Sequence, residues 1–198
     1  MIMNSYASDA DGPVRPENLS SGAISIETSR LSLNALRDTD LDDLMAVFCG
    51  RSSARMTHTV PHPFKREDAE RLLANMMAKP YAYWAIRRED ERLIGVISLT
   101  RATCGKTPDM HHFGPNLGIF VAPEHQGHGL AVEAIDALLR WVKKRKLHQI
   151  IHAAHFADND KAAQALIQAD FLYTGRRTQE ASTARGGEHL ALHMIRIL

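Results

Sequence analysis

The apolar run Leu117-Gly118-Ile119-Phe120-Val121, the turn Ala122-Pro123-Glu124-His125-Gln126-Gly127-His128-Gly129-Leu130-Ala131 and the long amphipathic segment after it constrain this chain most. The run predicts a buried strand, and the segment after the turn predicts a helix. Two glycines and an alanine lie where the two meet. A strand, a glycine turn and a helix start together make an anion site. The first N–H groups of the helix lack internal partners, and its dipole is positive there. Glycine has no Cβ, so a phosphate can touch the backbone. The Rossmann spacing is absent, because Gly127 and Gly129 have no third glycine three residues on, and no Gly-Lys-Ser/Thr follows to make a Walker loop.

Composition narrows the class. A chain of 198 residues with 44% hydrophobic and 24% charged residues fits one globular domain with a sizeable core. Its net charge of +1 provides no field for nucleic acid or an anionic membrane, so neither partner is expected. The basic run Lys143-Lys144-Arg145-Lys146 falls at a predicted helix end, where it complements the dipole. Cys49 and Cys104 have no metal or redox spacing, and the 11 histidines form no His-Glu-x-x-His or similar pattern. No metal is therefore expected. No run reaches transmembrane length. Residues 1–22, rich in Ser, Asp, Asn, Gly and Pro, read as a flexible arm without the apolar stretch of a signal peptide. The expectations are a domain over 23–198 and a cytoplasmic location.

Periodicity sets the order of elements. Ile24-Ser25-Ile26 and Leu31-Ser32-Leu33 predict a first strand broken near Glu27-Thr28-Ser29. Leu41, Leu44, Met45 and Phe48 have helical spacing, with Thr39 and Asp42 as a capping-box start. Ala69, Leu72, Leu73 and Met76 predict a second helix between Pro63 and Pro80. Tyr83 to Arg87 and Leu93 to Leu99 predict a hairpin, followed by a polar loop from Thr103 to Pro115. The main helix is expected over about 127–146, and a strand over Gln149 to Ala154 puts His152 and His155 on opposite faces. Asp158 or Asn159 caps a helix with Ala162, Ala165, Leu166 and Ala169 inside. Two last strands, Phe171 to Arg177 and His189 to Leu198, flank a small-residue loop at Gln179 to Gly187. This pattern predicts one mixed sheet covered by helices, an α/β (α+β) fold.

The turn fits Gln/Arg-x-x-Gly-x-Gly/Ala, and on it the chain resembles the GCN5-related N-acetyltransferases. Thr28-Ser29-Arg30-Leu31-Ser32-Leu33 with Leu36 and Asp40, Pro63-Phe64 with Glu67-Asp68-Ala69, Leu93-Ile94-Gly95, and Asn159 with Phe171 are similar to the branch that acetylates ribosomal-protein N-termini. The resemblance spans residues 24–198. It implies a twisted mixed sheet in which two parallel strands, here Leu117 to Val121 and Gln149 to Ala154, splay apart around a pantetheine arm. It implies acetyl-CoA as cosubstrate. Backbone groups of Ile119, Phe120 and Val121 would pair with the pantetheine amides. Gln126, Gly127, His128, Gly129, Leu130, Ala131 and Val132 would form the pyrophosphate loop, and Asn159 would reach the pantetheine or thioester. A homodimer is consistent with the family.

The chain departs from the family on the acid–base side. Ala162 stands where a serine is common, Leu166 where other branches have a tyrosine, Asn116 where a glutamate often precedes the strand glycine by two, and Asp170 where a glycine precedes Phe171. An amine attacks a thioester only as the free base, so the site needs a proton acceptor and a stabiliser of developing charge. His111 and His112, before the fourth strand, and Glu188, at the last strand, are the catalytic candidates, with His193 and Tyr173 as further titratable groups. Cys104 has no visible base partner, which argues against a covalent thiol route. The expected function is direct acetyl transfer to a primary amine, either a protein N-terminus or a small molecule. The alternative is a non-catalytic acyl-CoA-binding sensor or partner module on the same fold. Acceptor-side loops vary most, so the sequence leaves the acceptor open.

Overall fold

The computed structural model describes residues 24–79, 82–101 and 114–198. Its strands are β1 (Ile26–Glu27), β2 (Ser32–Asn34), β3 (Tyr83–Arg87), β4 (Leu93–Arg101), β5 (Pro115–Val121), β6 (Ile150–Phe156), β7 (Leu172–Ala181) and β8 (Glu188–Ile197). Its helices are α1 (Leu41–Phe48), α2 (Arg51–Ala54), α3 (Arg66–Met77), α4 (Leu130–Lys144) and α5 (Asp160–Gln168). The eight strands join one sheet in the order β1-β2-β3-β4-β5-β6-β8-β7. Neighbours are antiparallel except for β5 and β6, which run parallel. This is the mixed sheet that the periodicity predicts.

Two helical layers cover the sheet. Along α4, Leu130, Ala134, Ile135, Leu138, Leu139 and Val142 form a buried stripe at the 3.6-residue period. That stripe, with Ala162 and Leu166 of α5, packs on Leu117, Ile119, Val121, Ile151 and Ala153. On the other face, α1 (Leu44, Val47, Phe48) and α3 (Ala69, Leu72, Leu73, Met76) cover Ala85, Val96 and Phe120. Successive residues of β5 thus enter opposite cores, as strand alternation requires. Both helical layers therefore hold β5, the strand that leads into the glycine turn.

A buried ion pair ties β3 to the start of α1. Arg87 is 1% exposed, and its Nη1 and Nη2 each donate to one oxygen of Asp40 at 2.8 Å. Nε donates to Asn34 Oδ1 at 2.7 Å, and further bonds go to the carbonyls of Ala35 and Glu91. Each guanidinium nitrogen thus has an acceptor, which a buried charge needs.

Several boundaries differ from the expectations. Asp40, not the Thr39/Asp42 pair, caps the turn before α1, because its Oδ2 accepts from Arg37 N at 2.7 Å. Asp42 instead faces solvent and pairs with Arg66. The main helix starts at Leu130 rather than 127, since Gly127 and Gly129 have φ of 82° and 75°, outside the helical region. α2 is one extra turn, and Pro115 is the first residue of β5 rather than the end of a loop. β7 continues to Ala181, so the hairpin loop shortens to 182–187. The arm at 1–22, Cys104 and the loop over 103–113 lie outside the described residues.

Candidate active site

The glycine turn makes a concave backbone surface. A Cβ on Gly127 would meet nothing within 4 Å, and one on Gly129 would meet only Arg30 Nη2 at 3.8 Å. Packing against protein thus does not exclude side chains here; the positive φ angles and the open space in front do the selecting. The first i→i−4 bond of α4 runs from Glu133 N to Gly129 O at 3.0 Å. The amides of Leu130, Ala131 and Val132 precede it and have no acceptor inside the helix. Leu130 is buried and anchors the helix start, while Gly127, His128 and Gly129 are exposed. This combination of free amides, helix dipole and bare backbone suits a diphosphate.

Gln126 acts as a brace. Its Nε2 donates to Val121 O at 2.9 Å, closing the turn after β5, and its Oε1 accepts from Lys161 Nζ at 3.1 Å. Its side chain is thereby committed to protein contacts, and Lys161 brings a cation from α5 beside the turn. A carbonyl accepts two hydrogen bonds, so Val121 O retains a lone pair.

The two parallel strands touch and then separate. Their one register pair among the described residues is Asn116 with His152, near the start of both strands. A Cβ on Gly114 would overlap the Ile150 carbonyl, so glycine permits the close approach that joins the strands there. Beyond that pair, from Gly118 to Val121 and from Ala153 to Phe156, no ladder bridges β5 and β6. β5 pairs with β4 throughout, and the bond from Ala122 N to Ile94 O at 2.8 Å sets the alternation: the peptide groups of Phe120 face β4, whereas those of Ile119 and Val121 face the side that β6 leaves unpaired. Asn159 closes the far end of β6; it is 5% exposed, and its Oδ1 accepts from Ala162 N at 3.2 Å as the N-cap of α5. Of the two capping candidates, Asn159 is therefore the cap.

A chain of polar groups crosses the face of the sheet shared by Asn116 and His152. His193 lies opposite Ala154 of β6, and its Nε2 is 2.7 Å from Thr178 Oγ1. Thr178 Oγ1 donates to Glu180 Oε1 at 2.8 Å. That hydroxyl has one proton, so His193 donates through Nε2–H and keeps its lone pair on Nδ1. The other Glu180 oxygen lies 4.0 Å from His58 Nδ1. On the opposite face, the Phe156 carbonyl takes the Nδ1 proton of His155, so Tyr173 donates its hydroxyl proton to His155 Nε2 at 2.9 Å. Tyr173 is thus engaged with a histidine, while its side chain remains exposed on the outermost strand rather than packed in the core.

Burial lowers the His193 pKa to about 4; Arg176 adds to the shift and Glu180 opposes it. Burial also lowers the pKa values of His58, His148 and His155. In the unfolded chain a histidine titrates near 6.5, so on acidification the unfolded state binds protons first. The stability associated with neutral His193 is therefore complete above pH 6.5 and is lost as pH falls from about 6.5 to 4. A Tm series over this range is expected to fall with pH, and His193→Gln to flatten the fall; equal slopes in both proteins would contradict the assignment.

The loops beside this chain are stapled together. Thr183 donates through N and Oγ1 to the His58 carbonyl, both at 2.9 Å. Arg185 bonds Asp158 at 2.7 Å and the Arg55 carbonyl at 2.6 Å, with its guanidinium over the Phe156 ring. The segment after α2 and the β7–β8 loop are thus tied to each other and to the end of β6. Glu188 is exposed at the end of that hairpin, opposite Ala181, and is not part of the His193–Thr178–Glu180 chain. His111 and His112 lie outside the described residues. Of the polar chain, His193 is among the candidates read from sequence, whereas Thr178, Glu180, His58 and Arg185 are not; the signal available is Thr178 and Glu180 on one strand face. Among the described residues no group of three His, Cys, Asp or Glu side chains is placed to hold a metal, and no helix is long and apolar enough to cross a membrane.

Comparison with known proteins matches this architecture. The family model described as an acetyltransferase (GNAT) domain matches residues 30–171. A GNAT-family acetyltransferase from Bacillus anthracis superposes with a TM-score of 0.73 at 15% identity, covering 88% of this chain and 98% of its own. RimL, a ribosomal L7/L12 alpha-N-protein acetyltransferase, gives 0.71 at 16% identity, covering 94% and 100%. Spermidine N-acetyltransferase from Vibrio cholerae, solved with CoA and spermine, gives 0.66 at 21% identity, covering 86% and 96%. No curated protein matches the sequence.

Proposed function

We propose that this chain, which belongs to the GNAT acetyltransferase family, uses acetyl-CoA to acetylate a primary amine by direct transfer. One observation carries the reading: an open, positive-φ glycine turn leads from the end of β5 into α4, and β5 itself parts from β6 after a single register pair among the described residues. The turn offers free amides and bare backbone at the scale of a diphosphate, and the unpaired side of β5 offers peptide groups to the amides of a pantetheine arm. The residues present fit CoA. Solved neighbours that hold acetyl-CoA or CoA support the same cosubstrate.

Bound acetyl-CoA would supply an activated thioester carbonyl. The chain's residues then have three tasks. The amides of Gly127 to Val132 hold the phosphates, with Gln126 bracing the turn. The β5 backbone at Ile119 and Val121, rather than at Phe120, whose peptide groups face β4, and the capped start of α5 at Asn159 align the arm, and alignment alone lowers the barrier of such transfers substantially. A polar group on the acceptor side takes the proton that the amine must lose. His111, His112 and Glu188 are proposed for that role, and His193, neutral at pH 7 with Nδ1 free to accept, joins them. The acceptor class is a primary amine, a protein N-terminus or a small molecule. A homodimer and a cytoplasmic setting belong to the same proposal.

Asn116, Ala162 and Leu166 favour a second reading, an acyl-CoA-binding sensor without turnover. CoA release from acetyl-CoA in the presence of amines separates the two. Amine-dependent release supports the transferase. CoA binding without release across peptides, polyamines and amino acids supports the sensor.

A further inference from the structure

The segment Thr28-Ser29-Arg30 lies between β1 and β2, remote in sequence from the glycine turn, yet it converges on the first turn of α4. Glu133 Oε1 accepts from Thr28 Oγ1 at 2.6 Å, from Ser29 Oγ at 3.1 Å and from Arg30 N at 3.1 Å. Glu133 Oε2 takes Arg30 Nε at 2.7 Å and Nη2 at 2.6 Å. The remaining arm of the guanidinium, Nη1, donates to the His128 carbonyl at 3.0 Å. Arg30 thus bridges the helix and the turn.

The His128 contact has a directional consequence. In a trans peptide the C=O and the N–H of one unit point opposite ways. Holding His128 O therefore fixes the direction of the Gly129 N–H, one of the amides assigned to the diphosphate. Gly129 has a φ of 75°, and glycine is soft to rotation, so without an external tie this peptide plane has little to define it. The electrostatics act the same way. A carboxylate in the first turn of α4 would oppose an incoming phosphate, and Arg30 offsets that charge. Burial raises the Glu133 pKa, but the hydrogen bonds from Thr28, Arg30 and Ser29 together outweigh it and hold the group ionised.

We propose that Arg30, held by Glu133, is a positioning residue for the cosubstrate: it orients the His128–Gly129 peptide and neutralises Glu133, so that the glycine turn is preformed for a diphosphate. This rests on the reading of the turn as the phosphate site. Because Arg30 is half exposed, its pair with Glu133 adds little to global stability. Its effect belongs in binding, where preorganisation is decisive.

The test uses Arg30→Met and Arg30→Lys in the full chain, with CoA affinity by calorimetry. R30M is expected to bind CoA about tenfold more weakly. R30K is expected to recover only part of this, since an ammonium keeps the charge but not the fork that joins carbonyl and carboxylate. The second readout is selectivity between acetyl-CoA and S-acetylpantetheine, which lacks the diphosphate. A role through the turn lowers the kcat/KM ratio of the two about tenfold, whereas a merely structural defect lowers both alike. If R30M does not fold, Glu133→Gln removes the same charge pair and is expected to shift the same ratio. Unchanged CoA affinity in R30M, or equal losses with both thioesters, overturns the inference while the cosubstrate assignment stands. Failure of the wild-type chain to bind CoA overturns both.

Discussion

Asp40→Ala is expected to destabilise the fold by about 3–5 kcal/mol, a Tm loss of about 10 °C for a chain of this size. The residue it abandons, Arg87, is 1% exposed and cannot turn to water. Two of its five hydrogen bonds vanish, and the remaining acceptors, Asn34 and two carbonyls, carry no charge. An uncompensated buried guanidinium is among the few lesions with effects this large. The variant also loses the bond from Arg37 N that organises the turn before α1. Asp42→Ala, two residues away and pairing only across solvent with Arg66, is expected to change Tm by no more than about 1 °C. Thermal or urea unfolding of the two variants side by side checks the contrast. Equal losses would show that charge at the start of α1, rather than burial, is the stabilising term.

Gly129→Arg is expected to reduce CoA affinity by about 100-fold or more, a loss of about 3 kcal/mol of binding. Two effects combine. An L-residue at a φ of 75° is strained, so the turn relaxes away from the geometry that aims its amides. The new side chain also enters the concavity beside Arg30, whose Nη2 is the sole neighbour within 4 Å of the added Cβ. The fold itself is expected to survive, because that Cβ meets open space rather than core. Far-UV circular dichroism and calorimetry with CoA separate the two. A folded G129R protein with native affinity would remove the glycine turn from the cosubstrate site.

The fold was legible where burial is periodic. The α4 stripe and the α5 inner face repeat at helical spacing, and β3 is a run of five buried residues. What periodicity misses is polar and tertiary. Arg87 reads from sequence as the charged end of a strand, and only the fold reveals that Asp40 encloses it. The end of β7 is invisible for a different reason: on the outermost strand, Gln179 and Glu180 are polar and Ala181 is small and exposed, so strand and loop look alike. α2 is too short for a period to register.

The candidate site divides along the same line. The strand and the glycine turn are contiguous in sequence, the Asn159 cap is local to its own helix start, and each declares itself by residue type. The polar chain is assembled from β7, β8 and the segment after α2, and none of Thr178, Glu180, His193 or His58 forms a recognised motif with another. Thr28-Ser29-Arg30 sits between the two cases. Its similarity to a family opening was plain, but its contact with Glu133 crosses more than 100 residues of chain and exists only in the fold.

The most direct measurement is CoA release from acetyl-CoA against a panel of primary amines and short peptides, with CoA-induced thermal shift on the same protein. The account predicts a positive thermal shift with CoA and release that depends on the added amine. A protein that neither gains stability with CoA nor releases it with any amine would contradict the account at its centre, the placement of acetyl-CoA between β5, β6 and the start of α4.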